Sequence, residues 1–83
     1  MNPMHYVYII KSKQDPSRIY VGCTQNLNKR LSDHNSGTTT HTAKYMPWEL
    51  AIYIGFENKD KAIEFEQYLK SGSGREFRKK RLC

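Results

Sequence analysis

Apolar positions gather into three short strand-like runs, with one helix-like segment before the third run and two after it. Residues 4 to 10, which include Tyr6-Val7-Tyr8 and Ile9-Ile10, are rich in β-branched and aromatic side chains, and a polar stretch with Asp15-Pro16-Ser17 ends them. This pattern predicts a strand and then a turn. Residues 19 to 23, Ile19 to Cys23, resume the strand character, and the short connection favours an antiparallel pair over a parallel crossover. A period of two puts Tyr6 and Tyr8 on one face of their strand, and Tyr20 and Gly22 on one face of theirs. Whether the two pairs share a face depends on register, which sequence leaves open. Thr24 or Asn26 suits the N-cap of a helix reaching about Asn35, with Gly37 as its stop signal. Leu27 and Leu31 form its apolar stripe, and Arg30 and His34 form a second stripe rotated by roughly 100°. Residues 36 to 47 read as a loop, and a third strand is expected from about Glu49 to Phe56. Asn58 or Asp60 then caps a helix that packs through Phe65 and Leu69 and carries Glu66. Ser71-Gly72-Ser73-Gly74 breaks it, and a short basic helix from Glu76 to Leu82 follows, anchored by Phe77 and Leu82. The expected fold is α/β of the α+β kind: a small three-stranded antiparallel sheet flanked by helices, in the order β-β-α-β-α-α. Without an internal repeat, residues 1–83 read as one domain.

Size and charge narrow the partners. A chain of 83 residues buries only about 60–65% of its unfolded surface, so few side chains can be spared from the core. Trp48 is therefore read as core, although Tyr45 and Trp48 beside the loop could also stack on an exposed base. The net charge is +6, and residues 70–83 hold six of the fourteen Lys and Arg against one acid, leaving +1 on the other 69 residues. That asymmetry points to a polyanionic partner whose phosphates the basic end neutralises, while charge alone fits a solvated terminal helix equally well. Cys23 and Cys83 are the two cysteines and have no metal-ligand spacing; they suit a reducing compartment, with Cys23 as a small core residue. No apolar run approaches the roughly 20 residues of a membrane span, and no signal-peptide pattern opens the chain. The expectation is a soluble cytoplasmic protein.

Four elements occur in order: Tyr6-Val7-Tyr8, Tyr20-Val21-Gly22, Arg30 with His34-Asn35, and Ala62 with Glu66, Leu69 and Lys70. Together they resemble the GIY-YIG nuclease superfamily in its small stand-alone bacterial form, related to the nuclease module of the excision-repair subunit UvrC. The resemblance spans nearly the whole chain. Tyr6 stands where the first triplet of the family has glycine. The late asparagine often used in the superfamily has no clear equivalent in residues 71–83, and Asn35 and Asn58 are candidates by residue type only.

The resemblance implies that Tyr8, Tyr20, Arg30 and His34 are catalytic, and that Glu66 is the ligand of one divalent metal per site, Mg²⁺ or Mn²⁺. The residue types suit attack of water on a phosphodiester, which needs a proton acceptor and charge stabilisation at the phosphoryl oxygens. Tyr8 is expected as the base, acting as a phenolate or within a hydrogen-bonded relay. A free phenol titrates near 10, so cationic neighbours or the metal are expected to favour the ionised form. Tyr20 would bond the phosphate or the attacking water, and Arg30 would clamp phosphate with a fixed fork. His34 would orient Tyr8 or shuttle a proton. Glu66 is a hard oxygen ligand of the type Mg²⁺ accepts alongside waters and substrate oxygens. Val7 and Val21 fill the triplets, and Gly22 permits close approach. Lys70, Arg75, Arg78, Lys79, Lys80 and Arg81 would follow the nucleic-acid backbone without reading sequence. The expected function is a metal-dependent, structure-directed endonuclease, with DNA favoured over RNA. The alternatives are a non-catalytic nucleic-acid-binding module and a nuclease active only with a larger protein partner. Sequence leaves the oligomeric state open.

Overall fold

A computed structural model describes residues 3–82. Its elements are β1 (His5–Ser12), β2 (Ile19–Thr24), α1 (Leu27–Asn35), α2 (Thr40–Ala43), β3 (Trp48–Phe56), α3 (Lys59–Lys70) and α4 (Gly72–Arg81). The three strands form one antiparallel sheet, as expected from the sequence, and its spatial order is β2-β1-β3.

β1 is central and buried on both faces. Val7 and Ile9 point to one side, where they meet Val21, Ala62 and Leu69 beneath α3, with Leu82 of the terminal segment packed against them. Tyr8 and Ile10 point to the other and join Trp48, with Leu27 and Leu31 of α1 packed over them. Ile9 and Ile10 are 1% and 0% exposed; each contributes about 1.5–3 kcal/mol of burial to opposite faces of the sheet. An unbroken apolar run in β1 is thus the signature of a strand covered twice.

Register answers what the tyrosine spacing could not. Tyr8 lies opposite Gly22 and Ile10 opposite Tyr20, so Tyr6, Tyr8, Tyr20 and Gly22 all face α1. On the other side of β1, Ile9 pairs with Ile52 but Ile10 pairs with Leu50, so Ala51 is an extra residue in β3. That bulge reverses the alternation along β3. Ile52 and Ile54 therefore share the α3 face with Ile9 and Val7, while Trp48, of the same parity in sequence, turns to the α1 face.

The helix signals mostly act where the sequence places them. Of the two possible caps of α1, Asn26 is the one used, its side chain accepting from the Lys29 amide at 3.0 Å. Asn58 does the same for α3 through the Lys61 amide. Two expectations need correction. The stretch 36–47 contains the short helix α2, held by the Trp48 indole N–H, which donates to the Thr42 carbonyl at 2.8 Å. The Ser-Gly-Ser-Gly stretch is also not a gap before a helix at Glu76, because α4 begins at Gly72. Ser71 ends α3 and caps α4, accepting from the Gly74 amide at 3.1 Å. Gly74 is buried because α4 turns back tightly on α3: a Cβ there would fall 2.7 Å from the Leu69 Cα. Phe77, at the exposed margin, rests 6.0 Å from Tyr68, which stacks on Phe65.

Candidate active site

Tyr8 sits in the middle of the central strand, 2% exposed, with its ring laid over Gly22. A Cβ at Gly22 would lie 2.6 Å from the Tyr8 Cζ, so only glycine leaves room for the phenol. The Tyr8 hydroxyl is 2.9 Å from His34 Nε2, and the Arg30 Nε–H donates to it at 3.3 Å. Arg30 and His34 reach the same oxygen because they are four residues apart on α1, one turn along the face adjoining the leucine stripe. Tyr20 completes the group: its ring is 4.9 Å from the His34 ring and 6.3 Å from that of Tyr8.

The donors and acceptors fix the direction of these bonds. Arginine can only donate, so the Tyr8 oxygen accepts from Arg30; the Thr42 hydroxyl donates to the Thr39 carbonyl at 3.5 Å, so its oxygen is left to accept from the imidazole and the Tyr8 proton goes to His34. Nε2 of His34 is then the acceptor, and Nδ1 carries the imidazole proton and donates it to Thr42 Oγ1 at 2.8 Å. Burial holds His34 below the usual histidine range, and the nearby Arg30 charge adds to this against the opposing pull of Asp33. His34 is neutral at pH 7, as this bonding requires.

With the protein's own groups alone, Tyr8 is favoured as the neutral phenol. Burial raises it above the usual tyrosine range, and this outweighs the lowering by the Arg30 hydrogen bond and charge. Of the two modes open to it, phenolate or relay, the geometry suits the relay. Arg30 is itself stabilised as the cation, chiefly by its bond to Tyr8, with Tyr20 contributing.

Thr42 was not among the residues singled out from sequence. It lies in α2, is 1% exposed, and holds the far side of the imidazole. Its neighbours Thr38, Thr39 and Thr40 gave the segment the composition of a loop, and nothing in spacing alone separates it from them.

Glu66 stands at the β2 edge and does not touch Tyr8. Its carboxylate pairs with Lys70 Nζ at 3.1 Å, and the Lys70 ammonium lies 5.7 Å from the centre of the Tyr20 ring. Its charge also helps burial to raise the Cys23 thiol. The site thus straddles edge strand β2, with Tyr8, Tyr20, Arg30 and His34 on one face and Glu66 on the helix covering the other. Among the described residues no group of three or more His, Cys, Asp or Glu could hold a metal ion. A single part-exposed carboxylate fits a hard divalent ion that takes its other ligands from water and phosphate, and does not fit a protein-caged one.

The remaining predicted residues divide plainly. Lys70, Arg75, Arg78 and Lys79 converge on one cleft of about 560 Å³ that also takes in Tyr20, Ser17 and Arg18. Lys80 and Arg81 are exposed and lie outside its lining. Tyr6 packs edge-on against Tyr53 at 5.8 Å, away from the Tyr8 hydroxyl network, and Val7 and Val21 are core. Trp48 is 4% exposed, so it cannot stack on a base, and Arg18 and Lys44 already lie over the Tyr45 ring. Neither candidate asparagine is free. Asn58 caps α3, and Asn35 bonds both the N–H and the C=O of Trp48. Cys83 lies outside the described residues. No helix among the described residues is long and apolar enough to cross a membrane.

A sheet of this topology, with a half-buried arginine and a buried histidine meeting at the hydroxyl of a buried tyrosine, defines a class that sequence comparison identifies. The sequence model of the GIY-YIG catalytic domain matches residues 4–81, and the chain belongs to the GIY-YIG family. Among its relatives, a UPF0213 protein of Clostridium perfringens is 41% identical over 68 residues, covering 81% of this chain and 71% of that one. The structure-specific endonuclease subunit SLX1 homolog of Giardia intestinalis is 34% identical over 65 residues, 74% of this chain. The matched region spans only 18% of the length of that protein. The solution NMR structure of a UPF0213 protein from Bacillus halodurans superposes with a TM-score of 0.53 at 30% identity, covering 89% of this chain and 80% of that one.

Proposed function

We propose that this GIY-YIG nuclease domain is a divalent-metal-dependent endonuclease that hydrolyses phosphodiester bonds in DNA and is directed by DNA structure rather than sequence. The observation that carries this reading is the Tyr8 hydroxyl, held between Arg30 Nε and His34 Nε2. With one bond accepted and one donated, the phenolic oxygen keeps a lone pair for a water molecule. As that water attacks phosphorus, its proton passes to the Tyr8 oxygen while the Tyr8 proton moves to His34 Nε2. The phenol is regenerated and the imidazole becomes the cation, so no free phenolate forms. Thr42 accepts from His34 Nδ1–H both before and after the transfer, and so keeps Nε2 free for the Tyr8 proton at the start. Arg30 offsets the charge that develops on the phosphoryl oxygens, and Tyr20 positions the phosphate beside it. Glu66 would hold Mg²⁺ or Mn²⁺, which when bound supplies positive charge at the phosphate and the leaving oxygen.

The family itself supports the nuclease class, and the name of the Giardia relative, a structure-specific endonuclease subunit, supports cutting directed by structure. The test is incubation of the purified protein with branched, single-stranded and duplex DNA and RNA, in Mg²⁺, Mn²⁺ or chelator. Cutting of branched DNA that needs metal and disappears in Glu66→Ala is the expected result. Binding without cutting on every substrate and metal would contradict it and leave the non-catalytic binding module. One observation favours a second reading. The Giardia relative is named a subunit, and this chain matches a small part of it. On that reading a protein partner completes the enzyme, and the isolated chain binds branched DNA tightly but cuts it slowly.

A further inference from the structure

Lys70, Arg75, Arg78 and Lys79 of the C-terminal helical region and Ser17, Arg18 and Ile19 of the β1–β2 hairpin line one cleft, which Tyr20 also lines. Five of its nine lining residues are cations, and none is acidic. A second hollow of about 220 Å³, lined by Lys11, Pro16, Ser17, Ile19, Arg78 and Lys79, shares four of those residues and continues the path past the hairpin. We infer that this groove between the β1–β2 hairpin and α4 is a phosphate-binding track for the strand being cut, running from Tyr20 past Arg18, Arg78 and Lys79 to Lys11. The inference rests on the nuclease reading for its occupant and names where the substrate strand leaves the reaction centre.

Three observations carry it. Arg78 Nε is buried with no hydrogen-bond partner, an uncompensated donor that an anion in the groove would satisfy. Arg75, Arg78 and Lys79 have no carboxylate within ion-pair distance among the described residues. Arg18 meets Asp15 at 3.6 Å with both side chains about half exposed, so a phosphate can compete for it at small cost. The wall opposite α4 is edge strand β2, whose outer backbone groups have no sheet partner. Uniform attraction to a basic tail makes a different prediction, since Lys80 and Arg81 carry equal charge on α4 but lie outside both hollows.

The experiment measures binding of a short fluorescent single-stranded DNA in chelator, where no metal-dependent cutting occurs, across a range of salt. Arg18→Gln/Lys79→Gln is compared with Lys80→Gln/Arg81→Gln, two variants of equal charge altered at exposed positions. The first is expected to weaken binding roughly tenfold and to lower the slope of log K against log salt by roughly 0.7 for each phosphate no longer neutralised. The second should lose much less affinity and keep the slope. Arg78→Gln should behave like the first, with folding checked by circular dichroism. Equal losses in the two double variants would overturn the inference, because affinity would then follow net charge alone. Failure of the nuclease reading is distinguishable: it appears as absent cutting in every metal, whichever way the two binding variants compare.

Discussion

Thr42 decides whether the hydroxyl of Tyr8 has a proton acceptor. Its Oγ1 takes the Nδ1–H of His34 and so leaves Nε2 bare for Tyr8. Thr42→Val should remove that acceptor and strand a buried donor, costing about 1–3 kcal/mol of stability. It should also favour the other tautomer, in which Nε2 carries the proton and cannot receive one from Tyr8. The expected signature is a lower kcat with a nearly unchanged KM, restored by Thr42→Ser. A proportional loss in both constants, or no rescue by serine, would make Thr42 a packing residue only. Gly22→Ala probes the same hydroxyl from below, since the added methyl group would overlap the Tyr8 ring and displace it from Arg30 and His34. At this scale the sequence was legible where chemistry repeats at helical spacing, as with Arg30 and His34. It was not legible at Thr42 or Arg18, whose importance comes from a long-range hydrogen bond and from the far wall of a cleft.

Element boundaries followed local signals, and element relations did not. The caps could be narrowed to two candidates each, with Asn26 and Asn58 the ones used, and the strands could be read, because each depends on a few adjacent residues. The bulge at Ala51, by contrast, is a property of two strands, and it alone explains how Trp48 comes to face α1. Helix α2 escaped because four residues are too few for periodicity, and its anchor is the Trp48 indole. The start of α4 escaped because two glycines read as a break. Their roles differ, and this gives a paired prediction. Gly74→Ala should destabilise by about 1–3 kcal/mol through overlap with α3, lowering Tm by roughly 4–8 °C per kcal/mol in a domain of this size. Gly72 has no neighbour within 4 Å of an added Cβ, so Gly72→Ala should stabilise by about 0.4–1 kcal/mol. Thermal unfolding of the two variants checks both signs, and similar losses would mean that the close approach of α4 to α3 is not what fixes Gly74.

The folded molecule as a whole keeps two titratable groups neutral beside a permanent cation, and its stability should report this. His34 is held below its ordinary value, so as pH falls below about 6.5 the unfolded chain takes up the proton first. The stabilisation is present above that pH and is lost as pH falls through the folded value. Tyr8 is held above its ordinary value, so its contribution is present below about pH 10 and is lost as pH rises through the folded value. Denaturant midpoints measured across pH should therefore fall on both sides. His34→Gln should flatten the limb just below 6.5, and an unchanged limb would contradict the assignment. The same arrangement is the centre of the functional account, in which a neutral Tyr8 relays a proton to a neutral His34. The most direct test is the single-turnover cleavage rate of Tyr8→Phe on the branched DNA that the unaltered protein cuts best, at saturating protein and metal. The account predicts a loss of at least about a hundredfold with DNA affinity preserved. Cleavage by Tyr8→Phe at the unaltered rate would contradict it.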